Sequence, residues 1–343
     1  MKRLLSILMI LTMVLMLPAC ASTESGSDDA DQEKSYVMKL GYATVNDTQD
    51  FIGNEFKKEV EAASNGRVVV ELYPGSQLGS NSVVVDSVCN GTIEATLQPT
   101  AFLGGFAPII TTGDLPYLWP DQYVMLDILN NTDIGHQFAD TVSDKGVTVL
   151  GFFNEGTKQV TSNKPVNSLS DMKGLKFRVM GAPVLADMVS FWGASAVPLG
   201  MAEVYTALQQ GTVDAIEQTC ELTYAYQYHE AAPYILMTNH GLLPCVFMVN
   251  TNWFSSLPED VQQVIQDSFI TVVPDGMTYT DDANNNAYEN MKADTNVTIV
   301  EPSDAVLQEF IDAAIPLYEK FAGQVEGAQG FIDAFKEEVE KAK

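Results

Sequence analysis

The sequence predicts an α/β protein of two domains, each a central β-sheet flanked by helices, with a long helix near the carboxyl end. Three observations carry this. Residues 36–97 give strand and helix signals in the order β-α-β-α-β, and the same order recurs over 175–217. About 310 residues follow a polar stretch near the amino terminus, enough for two hydrophobic cores. A helical pattern then starts at Pro258 and runs to about Asp294.

The amino terminus reads as an export leader. Lys2 and Arg3 are its positive end, and Leu4–Leu17 is an apolar run too short to span a bilayer comfortably. The run ends Leu17, Pro18, Ala19, Cys20, which resembles the lipobox of bacterial lipoproteins. That resemblance implies lipid on Cys20 and a protein held outside the cytoplasmic membrane. Residues 21–35 are polar, bury little, and are expected to be a flexible tether.

Tyr36–Ala43 reads as a strand, Phe51–Ala63 as an amphipathic helix, and Arg67–Tyr73 as a second strand rich in β-branched residues. A helix over Asn81–Asn90 and a strand over Thr92–Leu97 follow. Gln98 and Thr100 stand at the end of that strand, where open α/β sheets hold ligands, and are candidate donors. Val124–Val142 is predicted helical, and Val147–Asn154 a strand.

In the second domain Leu175–Val179 alternates apolar and basic residues as a strand does. Ala182–Trp192 is predicted helical with Pro183 in the first turn, where its missing N–H costs little. Strands over Ala194–Leu199 and Thr212–Glu217 enclose a helix over Ala202–Gln210, stopped by Gly211. A helix over Leu222–Ala231 and strands over Tyr234–His240 and Cys245–Asn250 come next. Pro274 is expected to kink or break the long helix. Val297–Val300 is a short strand, and the tail from Asp304 two amphipathic helices.

Several stretches in combination carry a resemblance. They are Lys173-Gly174-Leu175-Lys176-Phe177-Arg178, then Gly193-Ala194 with Val197-Pro198, then Glu203-Val204-Tyr205 with Ala207-Leu208-Gln209, and Val213-Asp214 with Glu217. Pro74-Gly75-Ser76-Gln77-Leu78-Gly79 and Asp114-Leu115-Pro116-Tyr117-Leu118 agree. Together they are similar to the DctP-type solute-binding proteins of TRAP transporters (tripartite ATP-independent periplasmic transporters).

The resemblance implies a two-domain periplasmic-binding-protein-like fold with the long helix spanning both domains at the hinge. It implies domain I over 36–155 plus 244–283, domain II over 156–243 plus 284–343, and capture of a small organic acid for a TRAP membrane permease. Arg178 then forks onto the ligand carboxylate. Lys158 falls where some relatives carry a second cation near the ligand. Gln218 falls where many have an asparagine on the carboxylate, and Met201 where many have a phenylalanine packed on it. Glu217 reads as a partner of Arg178 or a helix-cap contact, and Asn239 belongs to a matching Thr238-Asn239-His240 segment.

Composition narrows the alternatives. The formal net charge is −27, two more negative once Lys2 and Arg3 leave with the leader, which argues against nucleic acid and anionic lipid surfaces. It also opposes an incoming acid, so a carboxylate needs a dry, locally positive pocket. The chain has no Gly-x-Ser-x-Gly elbow, phosphate loop, dinucleotide fingerprint or zinc-helix motif, and its three histidines lack metal-ligand spacing. The expectation is therefore a binding protein and not an enzyme, without cofactor or metal, monomeric, with Cys89, Cys220 and Cys245 as free thiols or the last two bridged. A ligand-sensing module for a membrane receptor is the second reading.

Overall fold

The computed structural model describes residues 35–342; the expected leader over 1–20 with Cys20, and all but the last residue of the expected tether, lie outside them. The first half runs β1 (Tyr36–Gly41), α1 (Thr48–Ala63), β2 (Val68–Tyr73), α2 (Asn81–Cys89), β3 (Ala95–Pro99), α3 (Gln122–Asn131), α4 (Asp133–Ala139) and β4 (Val147–Ser162). Then follow β5 (Lys176–Val179), α5 (Pro183–Phe191), β6 (Ser195–Pro198), α6 (Val204–Gln209), β7 (Ala215–Gln218), α7 (Cys220–Ala225), α8 (Tyr228–Ala231) and β8 (Tyr234–Asn250). The chain closes with α9 (Thr251–Ser255), α10 (Glu259–Ala293), β9 (Thr298–Val300), α11 (Asp304–Gln324) and α12 (Ala328–Lys341).

Local chemistry starts these elements. Asp47 Oδ1 accepts the Asp50 N–H and caps α1, whose Ile52, Phe56 and Val60 recur at helical spacing and are buried. Thr132 does the same for α4, accepting from Gly135, and this cap divides what the sequence reads as one helix over 124–142. A 3₁₀ turn over Asp140–Lys145 replaces its last part.

The nine strands among the described residues form one sheet in the order β2-β1-β3-β8-β4-β7-β5-β6, with β9 on β8. Both wings are parallel, β2-β1-β3 on one side and β7-β5-β6 on the other. The centre is antiparallel, because β8 pairs with β3 and β4, and β4 with β7. The two expected sheets are thus fused through β4 and β8, which pair from Val147↔Asn250 to Ser162↔Tyr234. The two separate strands expected over 234–250 are one, and the strand expected to end at Asn154 continues to Ser162.

Helix α10 is continuous for 35 residues through Pro274, so the proline does not break it. Pro274 is exposed, and the helix is held by its buried side instead. Phe269 of α10 packs against Phe247 of β8 at 4.8 Å, and Phe247 against Phe56 of α1 at the same distance. These rings join the sheet to helices on one face. Trp192 meets Phe310 of α11 at 5.2 Å in a second part of the core. Cys220 and Cys245 are buried free thiols and Cys89 is a half-buried one, so the bridge does not form. No helix among the described residues is long and apolar enough to cross a membrane.

Candidate functional site

Arg178 lies in β5, between Val197 of β6 and Ile216 of β7 in register, and is 1 % exposed. A permanent cation at this depth needs partners. Its Nε and Nη2 donate to the Leu199 carbonyl oxygen at 3.0 and 2.8 Å, and its Nη1 is buried without a hydrogen-bond partner. None of the ion pairs among the described residues includes it. Burial lowers its pKa, against which Tyr228, Glu217 and Glu203 raise it. The Leu199 carbonyl takes one side of the fork. The Nη1/Nη2 edge keeps two parallel N–H bonds, which is the geometry a carboxylate accepts.

The 3₁₀ turn after Leu199 brings further side chains beside that fork. Met201 is buried, its Sδ accepting from the Tyr228 hydroxyl at 3.3 Å and facing Gln218 Nε2 at 4.0 Å. Gln218 Oε1 accepts the Thr219 N–H. Across from them Asn81, at the start of α2, accepts the Met201 N–H at 3.4 Å and donates to Gln98 Oε1 at 2.9 Å. Sequence reasoning named Gln98, Met201 and Gln218 but missed Asn81 and Tyr228. Asn81 reads as an ordinary helix start, and Tyr228 as one of three tyrosines on a helix.

Lys158 and Glu217 form a separate buried group. Lys158 Nζ stands 3.3 Å from Glu217 Oε2, and His240 Nε2 meets the same oxygen at 3.1 Å. Burial pushes the Glu217 carboxyl up, but the Lys158 ammonium and the His240 hydrogen bond overcome this and hold it at about 2. Burial lowers His240, which stays neutral at pH 7. An ionised Glu217 only accepts, so Nε2 carries the proton and Nδ1 accepts from Thr238 Oγ1 at 2.7 Å. Trp192 packs edge-on against His240 at 5.1 Å and belongs to the core.

The family profile described as bacterial extracellular solute-binding protein, family 7 (DctP), matches residues 42–324. The chain belongs to this family. Among family 7 relatives, the ectoine-binding periplasmic protein TeaA of Halomonas elongata is 28 % identical over 295 residues, 84 % of this chain and 86 % of that protein. The C4-dicarboxylate-binding periplasmic protein DctP of Vibrio cholerae is 27 % identical over 293 residues, 83 % and 86 % of the two chains. A crystal structure of a TRAP periplasmic solute binding protein from Desulfovibrio salexigens with bound orotic acid matches with a TM-score of 0.86 and 29 % identity. It covers 90 % of this chain and 99 % of that one.

Two residues of this family 7 chain stand apart from the fork. Thr100 Oγ1 lies 2.7 Å from Asp114 Oδ2 and 3.0 Å from the Pro244 carbonyl oxygen, so its hydroxyl proton is used within the fold. Asn239 exchanges two hydrogen bonds with the Gln159 amide and lines a cavity of about 290 Å³ with Gln122, Asn284 and Tyr288, to which Arg178 does not contribute.

A set of buried acids completes the polar interior of this family 7 protein. Asp47 at the α1 cap, Glu155 in the β4 bulge and Glu221 in the first turn of α7 are each at most 5 % exposed. Each keeps one carboxylate oxygen without a hydrogen-bond partner. Thr48 donates to the other oxygen of Glu221 at 2.8 Å. Burial pushes Asp47 up to about 6, with Asp50 adding to it; burial and the Asp47 charge push Glu221 up to about 8, and burial with the Asp47 and Glu221 charges pushes Glu155 well above the usual carboxyl range. Sequence reasoning missed all three because they come from segments far apart in the chain. The only local signal is a charge within the apolar run of β4.

Proposed function

We propose that this protein captures a small carboxylate-bearing organic acid outside the cytoplasm and delivers it to a TRAP-type membrane permease. The observation that carries this is the buried, unpartnered Nη1 of Arg178. A guanidinium held by one carbonyl in a dry interior is preorganised for an anion, and leaving it unmatched is costly. In this reading the Nη1/Nη2 edge grips the carboxylate, Gln218 donates an amide N–H beside it, and Met201 packs on the ligand's apolar part. Asn81 and Gln98 close over it from the other domain. Glu217 and Lys158 hold the strands behind the clamp, Asn239 and Thr100 brace the segments on either side, and the work is binding rather than turnover.

The chemistry named in the relatives supports an acid: orotic acid in one solved structure and C4-dicarboxylates in a curated relative. Closure is proposed between residues 36–155 plus 244–283 and residues 156–243 plus 284–343, with β4, β8 and α10 as the crossing elements. Residues 1–20 are proposed to be the leader and Cys20 the lipid anchor of a monomer. A thermal-shift screen of small carboxylic acids against their methyl esters tests the central step. An acid should raise the melting temperature while its ester does not; esters that stabilise as well as their acids would contradict it.

A further inference from the structure

The binding reading leaves one cavity without a role. Where β4 and β8 cross between the two halves, a space of about 290 Å³ opens beside α10, at the small end of the range in which ligand sites fall. Its walls come from both halves: Gln122, Asn154 and Asp281 from one, and Gln159, Asn239 and Tyr288 from the other. Arg178, Leu199, Met201, Gln218 and Asn81 do not line it. The chain is irregular here, as a bending point is. β4 shifts register between Asn154 and Thr157, Gly156 has a φ of +107°, and Asn239 a φ of +46°.

No lysine, arginine or histidine lines this cavity, so an acid finds no cation in it. Its two acids are already engaged within the fold. Asp121 Oδ1 caps α3 by accepting the Val124 N–H at 2.9 Å. Asp281 accepts from Gln122 Nε2 at 2.6 Å and from the Tyr123 hydroxyl at 2.5 Å. What remains open is neutral. Asn239 spends its Oδ1 and its backbone N–H on Gln159 and keeps the protons of its Nδ2. The Asn285 side chain is exposed and makes no hydrogen bond among the described residues. The Tyr288 hydroxyl donates to Glu301 and can still accept. Met237 and Leu242 add apolar lining. Neighbouring donors and acceptors with apolar surface match hydroxyl groups on a carbon frame, because each hydroxyl donates and accepts at once.

We propose that this hinge cavity is a second ligand site, for a small neutral polyhydroxyl compound, and that its occupancy is coupled to capture of the acid at Arg178. The coupling follows from the origin of the walls. In the arrangement seen here three hydrogen bonds cross the cleft between the halves. The Val45 N–H donates to the Tyr226 hydroxyl at 2.8 Å, the Thr48 hydroxyl to Glu221 Oε2 at 2.8 Å, and the Met201 N–H to Asn81 Oδ1 at 3.4 Å. Asn284, on the cavity wall, accepts the Glu221 N–H at 3.1 Å and so ties the cavity to the second of these bonds. A compound that touches both halves favours this arrangement over any in which the walls part. An acid gripped by Arg178 and closed over by Asn81 favours the same one. Each then tightens the other's binding by the same factor.

The coupling rests on the Arg178 clamp and on the two halves proposed above; the site does not, and the test keeps them apart. Saturation-transfer NMR and calorimetry on the purified chain use myo-inositol, sorbitol and D-glucose. At least one should bind saturably with a dissociation constant of about 1 mM or lower, and equally well to Arg178→Ala. Asn285→Ala should weaken that binding about fivefold, and Asn285→Trp, which puts an indole in the cavity, should abolish it. Circular dichroism melts confirm the fold of each variant. Thr48→Val with Tyr226→Phe removes two of the bonds across the cleft and should weaken the same compound about fivefold or more. An unchanged affinity in that variant would overturn the coupling and leave the site standing. No saturable binding of any of the three, or binding that Asn285→Ala and Asn285→Trp leave intact, would overturn the site. Binding lost in Arg178→Ala would put the compound on the clamp and overturn the hinge site as well.

Discussion

Lys158 Nζ and Glu217 Oε2 face each other at 3.3 Å with neither side chain more than 1 % exposed. The Lys158 ammonium thus has a carboxylate at ion-pair distance inside the fold, while its Nζ makes no hydrogen bond there. Removing one member of such a pair strands the other charge. Glu217→Ala is expected to destabilise by about 3–5 kcal/mol, and Lys158→Met to cost a similar amount. The double variant Lys158→Met, Glu217→Leu should cost less than the sum of the two. Urea unfolding measures all three, and strict additivity would contradict the pair.

The buried carboxyls set opposite pH slopes. Unfolded carboxyls titrate near about 4. Burial raises Asp47 to about 6 and Glu221 to about 8, so between these limits the folded chain holds protons the unfolded chain has released. Stability then falls as pH rises through that window. Glu221→Gln is expected to flatten the slope by up to about 1.4 kcal/mol per pH unit. Glu217, held at about 2, works the other way: its contribution is present above the unfolded value and is lost as pH falls toward 2. Thermal melts from pH 3 to pH 8 read both. An unchanged slope in Glu221→Gln would refute the first assignment.

Gly156 is where β4 passes from one half of the sheet to the other. Its φ is +107°, and a Cβ there would stand 2.5 Å from the Asn284 amide nitrogen. Asn284 in turn accepts the Glu221 N–H at 3.1 Å and donates to the Glu155 carbonyl oxygen at 3.3 Å. Gly156→Ala combines backbone strain with a clash and should cost roughly 1–3 kcal/mol. Gly156→Ala with Asn284→Ala should recover part of that loss, the clash but not the strain. Denaturant midpoints decide it, and a neutral Gly156→Ala would show that the backbone there is slack.

Much of this architecture is legible in the residues, and the exceptions share a cause. The β5-α5-β6-α6-β7 unit was readable because each piece has its own periodicity and punctuation, down to Pro183 and Gly211. The lengths of β4 and β8 were not, since Asn154, Glu155 and Gly156 in one and Gly241 and Pro244 in the other read as breaks. Pairing along both strands absorbs them as register shifts between Asn154 and Thr157 and between Lys158 and Val160. At Pro274 the expected break does not occur, for a related reason: local propensity disfavours proline, but packing of Phe269, Val272, Val273 and Gly276 holds the helix on both sides. Arg178 was visible as a cation in an apolar strand. The acids and Asn81 become neighbours only through tertiary folding.

The most direct measurement is isothermal calorimetry of Arg178→Ala and Arg178→Lys with an acid that binds the parent chain. Loss of a buried guanidinium–carboxylate contact should weaken Arg178→Ala on the order of a hundredfold or more. Arg178→Lys should recover only part of this, because a point charge cannot bridge both the Leu199 carbonyl and a carboxylate edge. Affinity of Arg178→Ala equal to that of the parent, in a variant with an unaltered melting profile, would contradict the account.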